Sequence, residues 1–404
     1  MSLKINPFIV LVLIQYVVTG QTGVYTGSGS VTQGLGTTTT ANIMPNCVSN
    51  HLTPIGSITA RDATIWTVPA QNNFTTGPFA SDLYNTCNGI TPASLATANL
   101  TNVPTTIIDA AGDVITAYVF CDNYFEMYIN GVLIGVDPIP FTPFNSTVLK
   151  FKVSRPYTIA VKLVDWEENL GLGSEIQSAT NLYHAGDGGF IAQFSDGTVT
   201  DASWKAQTFY IAPIENLSSI VELPTGTRST STSTTAPSCN GNCYGIHYPI
   251  PSNWNLASYN DTNWPSANLY AATSVTNDIS YTRFATTAWN NANFIWSSNL
   301  ILDNLVLVRK TVSSLGVNEK LLENSIRIKN PFFNSIDITT DADMNEATIV
   351  LYDQTGKKIQ QWNAVSISTN KTTELSISSL ISSGIYYLSI QSEDKKYTLK
   401  IIKN

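Results

Sequence analysis

The sequence predicts an all-β protein built as one large sandwich followed by a small one. Three observations carry this. Short β-branched and aromatic runs are broken repeatedly by Gly, Pro and Asn. No long stretch shows the 3.6-residue periodicity of a buried helix face. The C-terminal part, from about residue 327, alternates apolar and polar residues at period two, the pattern of half-buried strands. A chain of 404 residues has room for two or three domains. A net charge of −8 with only 21 Lys+Arg argues against a nucleic-acid partner, because phosphate binding needs clustered cations.

The N-terminus has the layout of an export signal over residues 1–20. Lys4 supplies the positive region, PFIVLVLIQYVV the apolar core, and Val18-Thr19-Gly20 a small-residue cleavage site before Gln21. That apolar run is shorter than the roughly 20 residues a spanning helix needs, so the mature chain is expected to be exported without a transmembrane segment. Residues 21–41, QTGVYTGSGSVTQGLGTTTTA, are of low complexity and expected to be flexible. Five cysteines follow, and an oxidising destination favours disulfides. Cys239 and Cys243 would close one small loop and Cys47 with Cys87 is the second expected pair. Cys121, after the apolar run AYVF, is left as a buried thiol. A zinc set of Cys239, Cys243 and His247 ranks below the disulfide, since the chain has only three His.

The region 42–312 is read as one domain. CDNYFEMYINGVLIG (121–135) alternates around Asn130-Gly131, a type I′ hairpin signal. Strand-like blocks continue on both sides of the Thr/Ser-rich stretch PTGTRSTSTSTTAPS (224–238), so a split into two domains there is the alternative. Residues 313–326 form the linker, and residues 327–404 the small sandwich.

DWEENLGLGSE (165–175) gathers Asp165, Glu167, Glu168 and Glu175 in a chain that is only 12% charged. In YTIAVKLVDWEEN, alternation puts Ile159, Val161 and Leu163 on one face, continued by Asp165 and Glu167 if the strand persists. Residues i and i+2 lie about 6.6 Å apart, near the spacing of paired glycosidase carboxylates, as any such pair does. Three readings follow, in this order. The carboxylates organise the loop through backbone N–H groups; or Asp165, Glu167, Glu175 and Asp187 hold a structural Ca²⁺; or Asp165 and Glu167 are an acid/base pair. On either of the first two, loss of Asp165 should lower stability. In HAGDGGF (184–190), His184 and Asp187 could form a base and its partner, although the glycines more simply mark a turn. Eight Trp and 18 Tyr suit a sugar binder, and Trp166, Trp254 and Trp264, in polar text, are the expected stacking platforms.

Two resemblances add to this. Asn330-Pro331-Phe332, then LYDQTGKKI, LSISSLISSGIYYLSI and a Lys-rich last strand resemble the C-terminal sorting domain of type IX secretion cargo in Bacteroidota, over residues 327–404. That resemblance implies an immunoglobulin-like β-sandwich handled by the translocon and a sorting peptidase, then release or attachment at the cell surface. The Asn130-Gly131 hairpin followed by RPYTIAVKLV, with SNWNLASYNDTNWPSA (252–267) and FIWSSNLILDNLVLVRKTV (294–312), is similar to galactose-binding-like jelly rolls. This implies a jelly-roll sandwich, often with structural calcium. The expected function is a secreted or cell-surface glycan-binding, lectin- or adhesin-like protein. The alternatives are a glycan-active hydrolase using Asp165 and Glu167, and a non-catalytic structural surface protein.

Overall fold

The structure is a computed structural model that describes residues 29–44, 47, 51–220, 239–313, 326–378, 381–392 and 395–404. The export signal, the Thr/Ser-rich stretch 224–238 and most of the linker lie outside the described residues. The chain divides into two compact units, residues 1–314 and 315–404.

The larger unit opens with β1 (Ser30–Gln33), β2 (Thr37–Thr40), β3 (Ile55–Thr59), β4 (Ile65–Val68), β5 (Ser81–Tyr84) and β6 (Thr105–Ile107). Its centre is β7 (Asp113–Asp122), β8 (Tyr124–Ile129), β9 (Val132–Val136), β10 (Ser146–Val153) and β11 (Tyr157–Val164). Then come the two-residue β12 (Ser174–Glu175) and β13 (His184–Ala185), β14 (Gly189–Phe194) and β15 (Lys205–Ile214). Past the undescribed stretch lie β16 (Tyr244–His247), β17 (Asn268–Tyr270), β18 (Phe294–Trp296) and β19 (Asp303–Val312). Two large sheets result. One runs β1-β16-β15-β19-β11-β8-β9; the other runs β17-β18-β14-β7-β10-β5, with β6 added to β10.

Alternation explains how the sheets meet. Phe125, Met127 and Ile129 of β8, Ile159, Val161 and Leu163 of β11, and Val306 and Val308 of β19 point into one core. Ala117, Val119 and Cys121 of β7, Phe151 of β10 and Phe190 of β14 meet them from the other sheet. The outward residues are buried as well. Tyr124, Tyr128, Ala160 and Val164 lie under a second apolar layer with Phe74 and Trp254, while Phe120, Val148 and Ile191 lie under Phe284 and Trp289. With both faces covered, β11 has no exposed position at all.

The Asn130-Gly131 turn forms as the sequence predicts, with φ of 50° and 87° and Ile129 opposite Val132. The expectation of flexibility over 21–41 needs correcting from Ser30 onward. There β1 pairs with β16, setting Val31 opposite Ile246, and β2 pairs with β3. Simple composition is not disorder when its residues are β-branched: Thr and Val suit extended, paired backbone.

Cys47 joins Cys87 and Cys239 joins Cys243, with Cα–Cα distances of 5.1 and 5.2 Å, and Cys121 is a buried free thiol. The zinc alternative therefore fails. Both thiols are in a disulfide, and His247 is stacked on Tyr210 at 4.3 Å and lies 3.1 Å from Thr32 Oγ1.

The smaller unit is a sandwich of its own. It contains β20 (Ile326–Ile328), β21 (Ser335–Thr340), β22 (Met344–Tyr352), β23 (Lys358–Ile367), β24 (Thr373–Ser376), β25 (Gly384–Ser392) and β26 (Lys395–Lys403). A β20-β21-β24 sheet covers a β23-β22-β25-β26 sheet around Ile336, Ile338, Ile349, Leu351, Leu388 and Ile390. The Asp353–Gly356 turn between β22 and β23 is closed by the Asp353 carboxylate, which accepts from Thr355 N and Lys357 N.

Candidate functional site

The acidic stretch begins where β11 ends. Asp165 N donates to Asn304 O at 2.9 Å and Trp166 N to Asn123 Oδ1 at 2.6 Å, and the chain then turns into a loop. Glu167 is fully buried inside that loop. Its carboxylate accepts from Gly171 N at 2.9 Å, from Gly173 N, and from Tyr210 Oη at 3.1 Å. Gly171 and Gly173 have φ of 88° and 55°, and a Cβ at Gly171 would fall 2.7 Å from Ile58 Cδ1. Burial pushes the Glu167 carboxyl up to about 7 in spite of those three donors. Glu168 organises the neighbouring chain: it accepts from Leu52 N and Ile176 N, both at 2.9 Å, and lies 2.8 Å from His51 Nδ1.

Asp165 is a different case. It is 2% exposed, and no hydrogen bond to its carboxylate occurs among the described residues. It fits only because residue 186 is glycine, where a Cβ would lie 2.8 Å from both carboxylate oxygens. Burial first, then the charges of Asp122, Asp187, Glu175 and Glu167, push its pKa well above the usual range. Glu175 sits opposite His184 across β12–β13, with Oε1 3.5 Å from Nδ1.

Of the four carboxylates expected to hold calcium, Glu167, Glu175 and Asp187 lie close enough for their charges to act on Asp165. Glu167 serves the loop and Glu175 the histidine. Among the described residues no group of three or more His, Cys, Asp or Glu is arranged to hold a metal ion. The proposed acid/base pair is corrected too, since Asp165 and Glu167 are shut from solvent at 2% and 0% exposure. A substrate cannot reach them.

The three tryptophan platforms are corrected on the same ground. Trp166, Trp254 and Trp264 are buried, each against an aromatic ring: Tyr124 and Tyr128, both at 5.6 Å, and Phe209 at 6.0 Å. Polar neighbours in sequence hid the fact that these loops fold back over an outward sheet face, which needs apolar cover.

Asp187 has a different setting. It follows β13, and its side chain borders two adjoining hollows of about 420 and 320 Å³, which also share Ser274. Asp122, Phe144 and Asp278 line the first; Tyr270 and Asn299 line the second. No hydrogen bond to the Asp187 carboxylate occurs among the described residues, and burial, with the charge of Glu175, raises its pKa to about 6. Asn299 is 4% exposed. Its Oδ1 accepts from Ile301 N and Leu302 N at 2.9 and 3.0 Å, which fixes the amide, while Nδ2 has no partner. Asp187 and Asn299 thus line one hollow, with Asn299 Nδ2 itself closed off from solvent. Of these residues the sequence singled out only Asp187. Asp122 was visible as a charge ending a buried strand, but nothing in the text SSNL distinguishes Asn299.

Comparison with known proteins identifies the smaller unit alone. Residues 330–404 match the family model of the secretion system C-terminal sorting domain. No curated protein matches the chain in sequence. Among solved structures it is similar to the lectin from Pleurotus ostreatus in complex with GalNAc, at 15% identity over 72% of each chain and a TM-score of 0.15. It is also similar to the Faecalibacterium prausnitzii β-glucuronidase, at 11% identity over 96% of this chain and 47% of that one, with a TM-score of 0.15. The Dictyoglomus thermophilum β-D-glucuronidase gives 11% identity, 96% and 44% coverage and a TM-score of 0.13. The chain thus spans about half the length of the glucuronidases, and TM-scores this low carry no argument. The C-terminal unit, in contrast, is a type IX secretion C-terminal sorting domain, and the chain bearing it is a protein sorted for export to the cell surface or beyond.

Proposed function

We propose that this exported chain is a cell-surface or secreted saccharide-binding protein whose ligand occupies the Asp187 hollow. The observation that carries the reading is that Asp187, whose carboxylate accepts no hydrogen bond among the described residues, lines a concave hollow together with Tyr270, Ser274 and Asn299. A sugar hydroxyl can give its proton to the Asp187 carboxylate, and Ser274 brings a further polar side chain to the same hollow. Phe144 and Tyr270 offer apolar faces for ring C–H groups. A concave site with a few fixed polar groups is the usual form of a small-ligand pocket. Asp122, Asp187 and Asp278 make the walls acidic, which favours neutral sugars over uronic or sialic acids. The sorting domain, acting through the translocon and a sorting peptidase, delivers this body to the outside, where glycans are.

The test is a glycan array probed with the mature full-length chain, then titration of Asp187→Asn and analysis of the sugar for products. The expected result is binding without turnover. A hydrogen bond to a charged group contributes about 1.5–3 kcal/mol, so Asp187→Asn should weaken binding roughly 10- to 150-fold. Silence on the array, or an Asp187→Asn protein that binds as wild type does, would overturn the site. Cleaved product would overturn the non-catalytic reading.

A further inference from the structure

The outward face of the other sheet carries a buried ion pair. Lys162 of β11 and Glu126 of β8 are direct cross-strand neighbours, with Nζ 2.9 Å from Oε2. Glu126 is fully buried and its acceptor capacity is full. Besides Lys162 it takes Asn73 N at 2.6 Å, Asn73 Nδ2 at 2.7 Å, Tyr128 Oη at 2.7 Å and Tyr124 Oη at 3.2 Å. Burial alone would raise its pKa, but the Lys162 charge and these donors hold it below the usual range, so it is ionised. Lys162, 7% exposed, uses a second proton on Gln71 O at 3.0 Å. An ammonium has three donors, and the third has no partner among the described residues.

Lys162 borders an open groove of about 530 Å³. Thr40, Thr67 and Thr75 bring hydroxyls to it, and Ile43 and Ile55 bring apolar surface. This groove shares no lining residue with the Asp187 hollow.

We propose that the Lys162 groove is a second binding site, for an uncharged ligand whose carbonyl or hydroxyl oxygen accepts the third Lys162 proton. The charge balance selects the class. Glu126, in contact with the ammonium, cancels most of its field, so an incoming carboxylate or phosphate gains little attraction and still loses its water. A neutral acceptor loses less water and satisfies the donor. The isoleucines suit a methyl or a ring C–H face, so a neutral amide-bearing sugar fits both walls.

The experiment uses the full mature chain carrying Asp187→Asn, which weakens sugar binding in the other hollow. N,N′-diacetylchitobiose, glucuronic acid and inorganic phosphate are titrated into it by calorimetry. Diacetylchitobiose should bind with a stoichiometry of one and at least tenfold more tightly than either anion. Thr75→Trp, an exposed wall position, should weaken that binding at least tenfold while leaving the melting temperature unchanged. Lys162→Met should abolish binding but uncovers Glu126 and can unfold the chain, so Thr75→Trp decides. No diacetylchitobiose binding at millimolar concentration, tighter binding of an anion, or a Thr75→Trp protein that binds equally well would each overturn the proposal. Because Thr75 lines this groove and not the Asp187 hollow, loss of binding in Thr75→Trp distinguishes this site from that one.

Discussion

Replacing Glu167 by alanine removes the acceptor of Gly171 N, Gly173 N and Tyr210 Oη at once. All three donors are in closed interior, where an unmet donor costs about 1–3 kcal/mol. Water entering the vacated volume recovers part of this, leaving a net loss of about 2–5 kcal/mol. The penalty depends on pH, with a definite sign. The folded pKa of about 7 is above the ordinary value of 4.5, so the contribution of this carboxyl is full below the lower value and is lost as pH rises through the upper. A shift of this size corresponds to about 3 kcal/mol. Glu167→Ala should therefore melt about 5–10 °C below wild type at pH 6, at about 2 °C per kcal/mol for a body this large. The gap should narrow toward pH 8.5. Differential scanning calorimetry of wild type, Glu167→Ala and Asp165→Asn at both pH values reads this directly. Asp165→Asn replaces a buried carboxyl that accepts no hydrogen bond among the described residues and whose ionisation burial opposes, so it should melt no lower than wild type at pH 8.5. This reverses the sign expected from sequence. Glu167→Ala melting within 1 °C of wild type at pH 6, or Asp165→Asn falling as far, would refute the assignment of roles.

Burial lowers the His247 pKa from 6.5 to about 3, so below pH 6.5 the unfolded chain takes up a proton that the folded one refuses. Stability should fall as pH drops through that window, by up to on the order of 4–5 kcal/mol, and His247→Gln should flatten the urea midpoint against pH. Deleting residues 327–404 should stop export and leave the large unit folded, read by fractionation and circular dichroism. The truncated chain reaching the medium would contradict it. Because no group of three or more His, Cys, Asp or Glu is arranged to hold a metal ion among the described residues, EGTA should leave the melting temperature of the mature protein unchanged. A calcium-dependent rise of several degrees would show the acidic side chains regrouping around a cation.

Much of the architecture was legible where local chemistry and tertiary structure agree. Asn130-Gly131 both permits positive φ and sits between alternating runs, and Tyr386, Leu388 and Ile390 point inward as their spacing predicts. The errors share one cause. Alternation locates a face only while the strand lasts, and β11 stops at Val164, before Glu167. Trp166, Trp254 and Trp264 look like loop residues because they are; burial came from the outward face of a sheet that is covered on both sides. The Thr-rich start of the chain pairs with β3 and β16, partners that only the folded topology brings near. Asn299 was illegible because its place at the hollow depends on Asp187 and Tyr270, which only the fold brings near it.

The most direct test of the central claim is a crystal structure of the mature chain with a sugar selected on the glycan array. The expected result is a pyranose in the Asp187 hollow with one hydroxyl donating to the Asp187 carboxylate at about 2.5–3.0 Å, the usual O–H···O range. A sugar seated elsewhere with the hollow empty, or one in the hollow that makes no contact with the Asp187 carboxylate, would contradict it.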